Sequence, residues 1–371
     1  MRIAIIGSRG YPYVYSGYET FVRELGERLA ARGEEVTVYC HRGLFRERPG
    51  RLNGIRLVYL PTIERKNLSQ FVHSLQAMVH ACFCRYDVIL AVNSANGPFG
   101  LLTRLCGRRT VINVDGLEWL RPKWRGLGAR YFRWASRQAT RRFDRVVTDS
   151  LEMQKIYARE FGAASTMIAY GANIDPAAAP ALLAPWALEP QGYYLVVGRL
   201  VPDNNADLIV REFAASGSKR RLVIVGDVPY RDAYAEGVHG RGRAAGVLFT
   251  GYVTHAGQLA ALYQHCYAYV HGHEFGGTNP SLLHALANGC AVLALDTVFS
   301  REVLGDGEHG LFFNKKEGSL GRLFAAADDG LLAGLRAGAR RRVEESYSWE
   351  KVTSQYLELF AELADGKSPG R

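Results

Sequence analysis

Long apolar runs are missing from this sequence. No window approaches 18 consecutive apolar residues, so no segment is expected to span a bilayer. The first apolar stretch, residues 3–6, is shorter than the core of a signal peptide and is more typical of a buried strand. We therefore expect a cytoplasmic protein.

Cysteine is also sparse. Six cysteines are scattered over 371 residues, and the one close pair, Cys82 and Cys84, has neither a second pair nor a histidine cluster at zinc spacing. The sequence contains no Asp-x-Asp metal motif either. We expect reduced, buried thiols, no metal site and no bound cofactor.

The composition lacks the features of disordered chains. Hydrophobic residues make up 48% of the sequence and charged residues 22%, as in ordinary globular proteins. A chain of 371 residues is too long for one ordinary core. Two domains are therefore expected.

Short apolar runs alternate with helical patterns in both halves of the chain. Strands are predicted at residues 3–6, 35–39, 55–60, 88–92, 111–114, 145–148 and 166–169, then at 193–197, 221–225, 247–250, 267–271 and 291–295. Helices are predicted at 18–31, 68–84, 151–161, 205–215, 256–264, 280–288 and 349–363. Continuous apolar strands separated by helices indicate parallel sheets covered on both faces. The predicted fold class is α/β, with two doubly wound, Rossmann-like domains facing a central cleft.

A proline-marked stretch separates the two halves. Residues 172–191 hold four prolines and show no periodicity, which is typical of a linker. We predict a first domain at 1–175, a linker at 176–191, a second domain at 192–346 and a C-terminal helix at 347–371. This last helix is expected to pack back on the first domain.

The net charge of +10 is unevenly distributed. Between Arg121 and Arg145, nine basic residues face one acid and are interleaved with aromatic rings. A solvated helix face, an anionic membrane surface and nucleic acid all suit such a segment. No nucleic-acid motif accompanies the charge, so we predict a peripheral membrane surface and no nucleic-acid partner. The residues predicted for this surface are Lys123, Trp124, Arg125, Arg130, Arg133, Trp134 and Arg137.

A strand end and a helix start enclose residues 271–284. Two adjacent glycines let a ligand approach the main chain, a capping residue follows them, and Pro280 suits the first helical position. Since the helix dipole adds partial positive charge, the pattern predicts a diphosphate site. Glu274 would lie at its lip, beside a bound sugar. The residues predicted to bind the diphosphate, with its sugar and nucleoside, are His273, Gly276, Gly277, Thr278, Asn279 and His284.

Two further loops carry candidate anion-binding groups. Arg199 follows a strand of the second half and would supply a permanent positive charge to a diphosphate, although a salt bridge across the domain is the alternative. A glycine-bearing turn in the first half leads into a helix near Gly17 and can bring backbone amides close to an anion. This turn is neither a dinucleotide fingerprint nor a P-loop.

Two carboxylates follow a strand of the first half, Asp115 and Glu118. Either could orient or deprotonate an acceptor hydroxyl, with helix capping as the alternative for Asp115. The predicted catalytic residues are Arg199, Glu274 and Asp115.

The motifs in these segments resemble glycosyltransferase family 4, of the two-domain GT-B fold, and within it a bacterial polysaccharide group that includes rhamnosyltransferases. The resemblance covers nearly the whole chain in order. Its segments are IIGSRG at 5–10, GYETFV at 17–22, GEEVTVYC at 33–40, NVDGLEW at 113–119, GRLVP at 198–202, VGD at 225–227 and GGTNPSLL at 276–283.

The resemblance implies retaining, metal-independent transfer of a sugar from a nucleoside diphosphate. The diphosphate leaves through an oxocarbenium-like state, and its own oxygen helps to deprotonate the acceptor. Arg199 and the amides of residues 276–279 would stabilise the charge that develops on it. Tyr252 and Val253 would line the base pocket. The expected partners are a dTDP-, UDP- or GDP-linked sugar, with dTDP-rhamnose the leading donor, and a lipid-linked glycan acceptor.

Three positions depart from the family pattern. The lysine that usually follows the arginine by five residues is Asn204 here, and the two family glutamates fall on Gly276 and His284. The rhamnosyl group generally lacks the lysine and the first glutamate too. The second glutamate ordinarily grips the ribose, whereas a neutral imidazole makes one hydrogen bond to a sugar hydroxyl. One bond would suit the deoxyribose of dTDP, which offers only its 3′-OH.

Two other functions fit the same residues. A nucleotide-sugar epimerase or hydrolase of this fold would turn the sugar over without an acceptor. A non-catalytic nucleotide-sugar binder would bind the donor tightly and transfer nothing.

Overall fold

The computed structural model describes residues 1–13, 17–63, 68–114, 116–121, 124, 126–228, 231–326 and 329–366. The chain forms two compact units. One comprises Met1–Tyr170 and Trp349–Arg371, and the other comprises Gly171–Ser348.

The first unit is built on an eight-stranded sheet in the order β3-β4-β2-β1-β5-β6-β7-β8. All its strand pairs are parallel except β3 with β4. The strands are Arg2–Ile6 (β1), Glu35–His41 (β2), Arg51–Leu52 (β3), Ile55–Leu60 (β4), Val88–Val92 (β5), Thr110–Val114 (β6), Arg145–Thr148 (β7) and Thr166–Met167 (β8). The central strands are buried over almost their whole length, as expected of strands that helices cover on both faces.

Five helices connect these strands: Gly17–Ala31 (α1), Ser69–Phe83 (α2), Gly100–Leu105 (α3), Leu127–Arg142 (α4) and Leu151–Phe161 (α5). The chain steps in one direction across the sheet from β4 to β8. Because parallel crossovers are right-handed, α2 to α5 therefore cover one face and α1 covers the other.

The second unit has a six-stranded, wholly parallel sheet in the order β11-β10-β9-β12-β13-β14. Its strands are Tyr193–Val197 (β9), Arg221–Val225 (β10), Leu248–Gly251 (β11), Ala268–His271 (β12), Val292–Leu295 (β13) and Leu311–Phe313 (β14). Its helices are Ala206–Ser216 (α6), Ala233–Ala244 (α7), Ala256–Gln264 (α8), Pro280–Ala287 (α9), Val298–Val303 (α10), Ser319–Ala326 (α11) and Asp329–Ser346 (α12).

The stretch predicted as a linker, 176–191, is part of the second unit. Pro180–Trp186 forms a 3₁₀ helix that packs on α8, with Leu183 fully buried. Gln264 accepts a hydrogen bond from the Ala178 amide through Oε1 at 2.8 Å. The prolines removed helical periodicity from this stretch, but its apolar side chains still supply packing surface.

The last helix, Trp349–Ala364 (α13), belongs to the first unit and packs against α1. Its buried Tyr356 receives a hydrogen bond from Asn113 Nδ2 at the end of β6, at 2.7 Å. Glu350 forms ion pairs with Arg28 and Arg32 of α1. Among the described residues, no helix is long and apolar enough to cross a membrane.

Candidate functional site

The strand order of the second sheet reverses beside β9. From β9 the chain moves outwards through β10 and β11, and then returns to place β12 on the other side of β9. In open parallel sheets, ligands bind beyond the carboxyl ends of the strands at such a reversal. The loops after β9 and β12 are the loops that carry the predicted Arg199 and the 273–279 segment.

These two loops are hydrogen-bonded to each other. The Glu274 amide donates to Asp203 O at 3.0 Å, and Asn205 Nδ2 donates to Gly272 O at 2.8 Å. A Cβ on Gly272 would lie 2.4 Å from Asn204 O, so only glycine allows the loops to approach this closely. The structure thus unites two segments that lie about seventy residues apart in the sequence.

The loop after β12 ends at the N-terminus of α9. Asn279 is the N-cap, its side chain accepts from the Ser281 amide at 3.0 Å, and Pro280 takes the first helical position. Gly276 has a φ of +125°, a conformation that side chains disfavour. Within the described chain, the amides of Gly276 and Gly277 donate no hydrogen bond. Together with the helix dipole, they are suited to receiving an anion.

Arg199 follows β9, and its loop is hydrogen-bonded to the loop that leads into α9. Its side chain is exposed and forms no ion pair with any residue that the structure describes. The nearby Asn204, at the usual lysine position, is buried and donates its Nδ2 to Arg199 O at 2.8 Å. Asn204 therefore shapes the loop, while Arg199 keeps a guanidinium available for a ligand.

Three histidines occur around the loop after β12. His271 is buried, and burial lowers its pKa to about 3, so it is neutral at physiological pH. Its ring stacks on that of His273 with 4.6 Å between the ring centroids. His284, one turn into α9, lies nearly parallel to the ring of Tyr263 at 6.4 Å.

A lysine that the sequence analysis did not single out joins the site. Lys315, just after β14, donates from Nζ to Glu274 Oε2 at 2.6 Å. The segment after β13 also contributes, because Thr297 of the loop and Ser300 of α10 line the same small pocket as residues 273–277. The strand β14 was not predicted, so the sequence alone offered no reason to bring Lys315 to this edge of the sheet.

Tyr252 and Val253 follow β11 at the same edge of the sheet, further along it. Tyr252 is 57% exposed, and its hydroxyl donates to Asp227 O at 2.7 Å. Asp227 also contacts His239 Nε2 at 3.2 Å. The ends of β10 and β11 are joined through the Gly226 amide, which donates to Gly251 O at 2.8 Å. This exposed tyrosine could stack on a flat ligand such as a nucleobase.

The candidate residues of the first unit are less completely described. Gly17 is the first residue of α1, whereas Asp115 lies outside the described residues. Glu118 is buried, with Arg121 Nη1 at 3.1 Å from Oε1 and Trp124 Nε1 donating to Oε2 at 2.7 Å. Both carboxylate oxygens of Glu118 are therefore already engaged by residues of its own loop.

The predicted basic surface maps largely to α4. Its outer side carries exposed Arg130, Arg133, Trp134 and Arg137, with Arg133 paired to Glu160 at 3.0 Å. Trp124 differs from the prediction, because its ring packs against Phe132 at 4.7 Å and is partly buried. The two remaining residues predicted for this surface, Lys123 and Arg125, lie outside the described residues.

The fold can now be compared with solved structures. Sucrose-phosphate synthase of Thermosynechococcus elongatus superposes with a TM-score of 0.81 at 20% identity, over 99% of this chain and 100% of that one. HepE of Anabaena in complex with UDP-glucose gives 0.78 at 16% identity, over 98% and 100%. Trehalose-6-phosphate synthase OtsA gives 0.73 at 10%, over 98% and 99%. At these identities the likeness establishes the fold, which is GT-B with two Rossmann-like domains.

The fold and family matches define a glycosyltransferase. Residues 15–175 match the family model "Glycosyltransferase Family 4", and residues 184–324 match the model "Glycosyl transferases group 1". The two ranges together span most of the chain, which therefore belongs to the family 4 type of GT-B glycosyltransferases. A comparison with curated protein sequences gives no significant match.

Proposed function

We propose that this enzyme transfers a sugar from a nucleoside diphosphate, with retention of configuration and without a metal ion, to a lipid-linked polysaccharide acceptor. The observation that carries the donor half of this proposal lies in the second unit. Gly276 and Gly277, whose amides donate no hydrogen bond within the described chain, lie with the start of α9 at the strand reversal. Arg199, which forms no ion pair with a described residue, follows the neighbouring strand β9. A pyrophosphate is the ligand that such a group of donors suits.

The chemical step follows from these donors. The bond between the anomeric carbon and the β-phosphate oxygen breaks, and a bond forms between that carbon and the acceptor oxygen. The acceptor proton passes to an oxygen of the leaving diphosphate. Arg199 and the glycine amides stabilise the negative charge that develops there, which is usually the largest catalytic contribution. Glu274 orients the sugar. Its carboxylate is positioned by Lys315, whose Nζ donates to Oε2 at 2.6 Å.

We propose dTDP-rhamnose as the leading donor, with UDP- and GDP-linked sugars as alternatives. HepE has been crystallised with UDP and with UDP-glucose, which supports a nucleoside diphosphate at the corresponding fold position. His284 replaces the family's ribose-binding glutamate, and its single hydrogen bond suits a deoxyribose. Tyr252 and Val253 would line the base pocket.

The acceptor half of the proposal belongs to the first unit. Asp115 would orient the acceptor hydroxyl while its proton passes to the diphosphate, and Gly17, at the start of α1, would offer backbone amides to an anion. A lipid-linked acceptor requires the enzyme to work at a membrane surface, and the exposed arginines of α4 suit the anionic inner face of a plasma membrane.

The decisive test is transfer of labelled sugar from dTDP-rhamnose, UDP-glucose and GDP-mannose to a lipid extract, with and without EDTA. We expect transfer that EDTA does not abolish. Arg199→Lys should lower kcat/KM at least tenfold, because lysine cannot bind a diphosphate in bidentate fashion. Arg211→Lys, a change of an exposed arginine on α6, is the matched control and should be neutral.

Each of the other outcomes would assign a different function to this chain. Sugar turnover without acceptor would assign an epimerase or hydrolase. Tight donor binding with no transfer would assign a non-catalytic binder. A chain that binds no nucleoside diphosphate at all would refute the proposed site.

A further inference from the structure

The outer layer formed by α2, α3 and α4 contains no acidic residue. These three helices pack side by side on one face of the first sheet, and none holds an aspartate or a glutamate. Exposed arginines occur along α3 and α4 at Arg104, Arg130, Arg137 and Arg141. A protein surface ordinarily mixes both signs of charge, so a layer with one sign only indicates an anionic partner.

The same layer exposes unusually apolar side chains. Among the described residues, the three most exposed large apolar side chains are Phe83 at 84%, Leu127 at 81% and Leu105 at 76%. They lie at the end of α2, the start of α4 and the end of α3. Trp134, halfway along α4, is 50% exposed. A single exposed apolar side chain is ordinary, so the significance of these depends on the charged groups that surround them.

Direct contacts hold the ends of these helices together. Arg108, after α3, donates from Nη2 to Cys82 O at the end of α2 at 2.6 Å and so joins the C-terminal ends of these two helices, which carry Leu105 and Phe83. Arg104 Nη1 donates to Arg141 O at 2.9 Å and so joins α3 to the last turn of α4. The apolar and basic groups therefore belong to one continuous surface, called here the α2–α4 face.

Three acids lie close to the α2–α4 face in the sequence or the fold. Glu160 of α5 pairs with Arg133 of α4 and neutralises that arginine, Asp87 pairs with Arg2, and Asp144 accepts from the Thr110 amide and hydroxyl. The exposed Arg104, Arg130, Arg137 and Arg141 form no ion pair with any residue that the structure describes.

The arrangement suits a flat partner better than a protein. Leu127 and the Phe83–Leu105 pair lie at opposite ends of the layer, since α4 is 16 residues, or roughly 24 Å, long. Arginines and Trp134 lie between these ends. Protein interfaces instead concentrate their apolar groups at the centre, with charge at the rim. A bilayer surface can accept apolar side chains at separate points and bind basic groups between them.

We infer that the α2–α4 face docks on an anionic phospholipid bilayer, with Phe83, Leu105 and Leu127 entering the acyl-chain boundary and the arginines of α3 and α4 binding headgroups. This inference rests on the proposed function in one respect, which is that the enzyme works at a membrane surface. It adds apolar anchors on α2 and α3 to the basic segment of α4.

Vesicle co-sedimentation of the full chain tests the apolar anchors. With vesicles of phosphatidylglycerol and phosphatidylcholine in equal parts, the wild type should bind, and Phe83→Ser/Leu105→Ser should bind about tenfold more weakly at both low and high salt. Leu44→Ser/Leu331→Ser changes two exposed leucines outside the face and should bind as the wild type does.

The same assay separates charge from apolar insertion. Arg130→Gln/Arg137→Gln should weaken binding about tenfold at low salt and much less at about 0.5 M salt, where screening is strong. Arg211→Gln/Arg243→Gln, exposed arginines of α6 and α7, is the control and should leave binding unchanged. Vesicles of phosphatidylcholine alone should bind the wild type weakly.

Three results would overturn the inference. Unchanged vesicle binding by Phe83→Ser/Leu105→Ser would show that these two side chains do not anchor the protein in the bilayer. Absence of wild-type binding to anionic vesicles at low salt would remove the membrane partner altogether. A dimer in light scattering that the same double variant dissociates, without vesicle binding, would assign the face to a second copy of the chain. Nucleoside diphosphate binding, measured on the same preparations, reports on the donor site independently.

Discussion

Two cations lie at the candidate donor site, and they differ in their surroundings. Arg199 is exposed and unpaired within the described chain, whereas Lys315 is paired to Glu274 at 2.6 Å. Without Lys315, the carboxylate of Glu274 would stand alone near a diphosphate and repel it. We therefore expect Lys315 to keep Glu274 from repelling a diphosphate, in a chain that has asparagine at position 204 where the family pattern has lysine.

Replacement of Lys315 tests this role. We expect Lys315→Met to weaken UDP and dTDP binding three- to tenfold, because it removes a positive charge and leaves Glu274 uncompensated. Lys316→Met alters the neighbouring exposed lysine and should have no effect in the same calorimetric titration. Equal affinities in Lys315→Met and the wild type would reduce the contact to an ordinary surface ion pair.

We propose that the choice of nucleotide depends on His284. A neutral imidazole forms one hydrogen bond to a sugar hydroxyl, whereas a glutamate accepts two. We expect the wild type to bind dTDP at least as well as UDP, and His284→Glu to favour UDP by about tenfold, as one added hydrogen bond to a charged group allows. An equal preference for dTDP over UDP in the two proteins would show that His284 takes no part in ribose recognition.

At the scale of single elements, the N-cap of α9 both stabilises a helix and borders the candidate diphosphate site. Its cap, Asn279, accepts from the Ser281 amide at 3.0 Å, while Ser281 Oγ receives a hydrogen bond from Tyr269 at 3.1 Å. The cap fixes both the start of the helix and the position of the preceding glycine amides.

Removal of this cap should have two effects. Asn279→Ala is expected to lower the free energy of unfolding by about 1 kcal/mol and to weaken nucleotide binding severalfold. Ser150→Ala removes the equivalent cap of α5, where Ser150 Oγ accepts from the Met153 amide at 3.1 Å. It should cost similar stability in urea unfolding and leave nucleotide affinity unchanged. If both variants weakened nucleotide binding equally, the effect would come from the general loss of stability and not from the position of the glycine amides.

Element prediction succeeded where apolar periodicity was strong. Strands such as Ile55–Leu60 and Tyr193–Val197 and the helix Leu151–Phe161 coincide with the predicted ranges. The helix Ala233–Ala244 was not predicted, because its three glycines lower helix propensity. It forms because Asp232 caps it and the buried Ala235 and Val238 pack on the core.

At the scale of the molecule, buried histidines link stability to pH. Burial lowers the pKa of His73 to about 4, and burial, with repulsion from His73, lowers that of His41 to about 3. Their rings are in contact in the first unit, with 3.9 Å between centroids and planes tilted by 31°. Since their folded-state pKa values lie below the unfolded value of 6.5, stability is full above pH 6.5 and is lost as the pH falls below it.

We therefore expect the free energy of unfolding to fall by about 1 kcal/mol per buried histidine between about pH 7.5 and about pH 5.5. His73→Leu removes one titrating group and should reduce this loss, as urea unfolding at the two pH values would show. The same loss in both proteins would mean that His73 does not stay neutral in the folded state.

The residues alone determined the α/β class, the two Rossmann-like domains and the glycine-bearing loops, because each depends on local patterns of apolar spacing, capping and turn residues. Tertiary structure decided the rest. It assigned the proline-rich stretch to the second unit, engaged both oxygens of Glu118 in its own loop, and brought Lys315 to Glu274 across 41 positions of the chain. It also joined the exposed ends of α2 and α3 to the arginines of α4. Such contacts depend on the order of strands in a sheet, which no local pattern encodes.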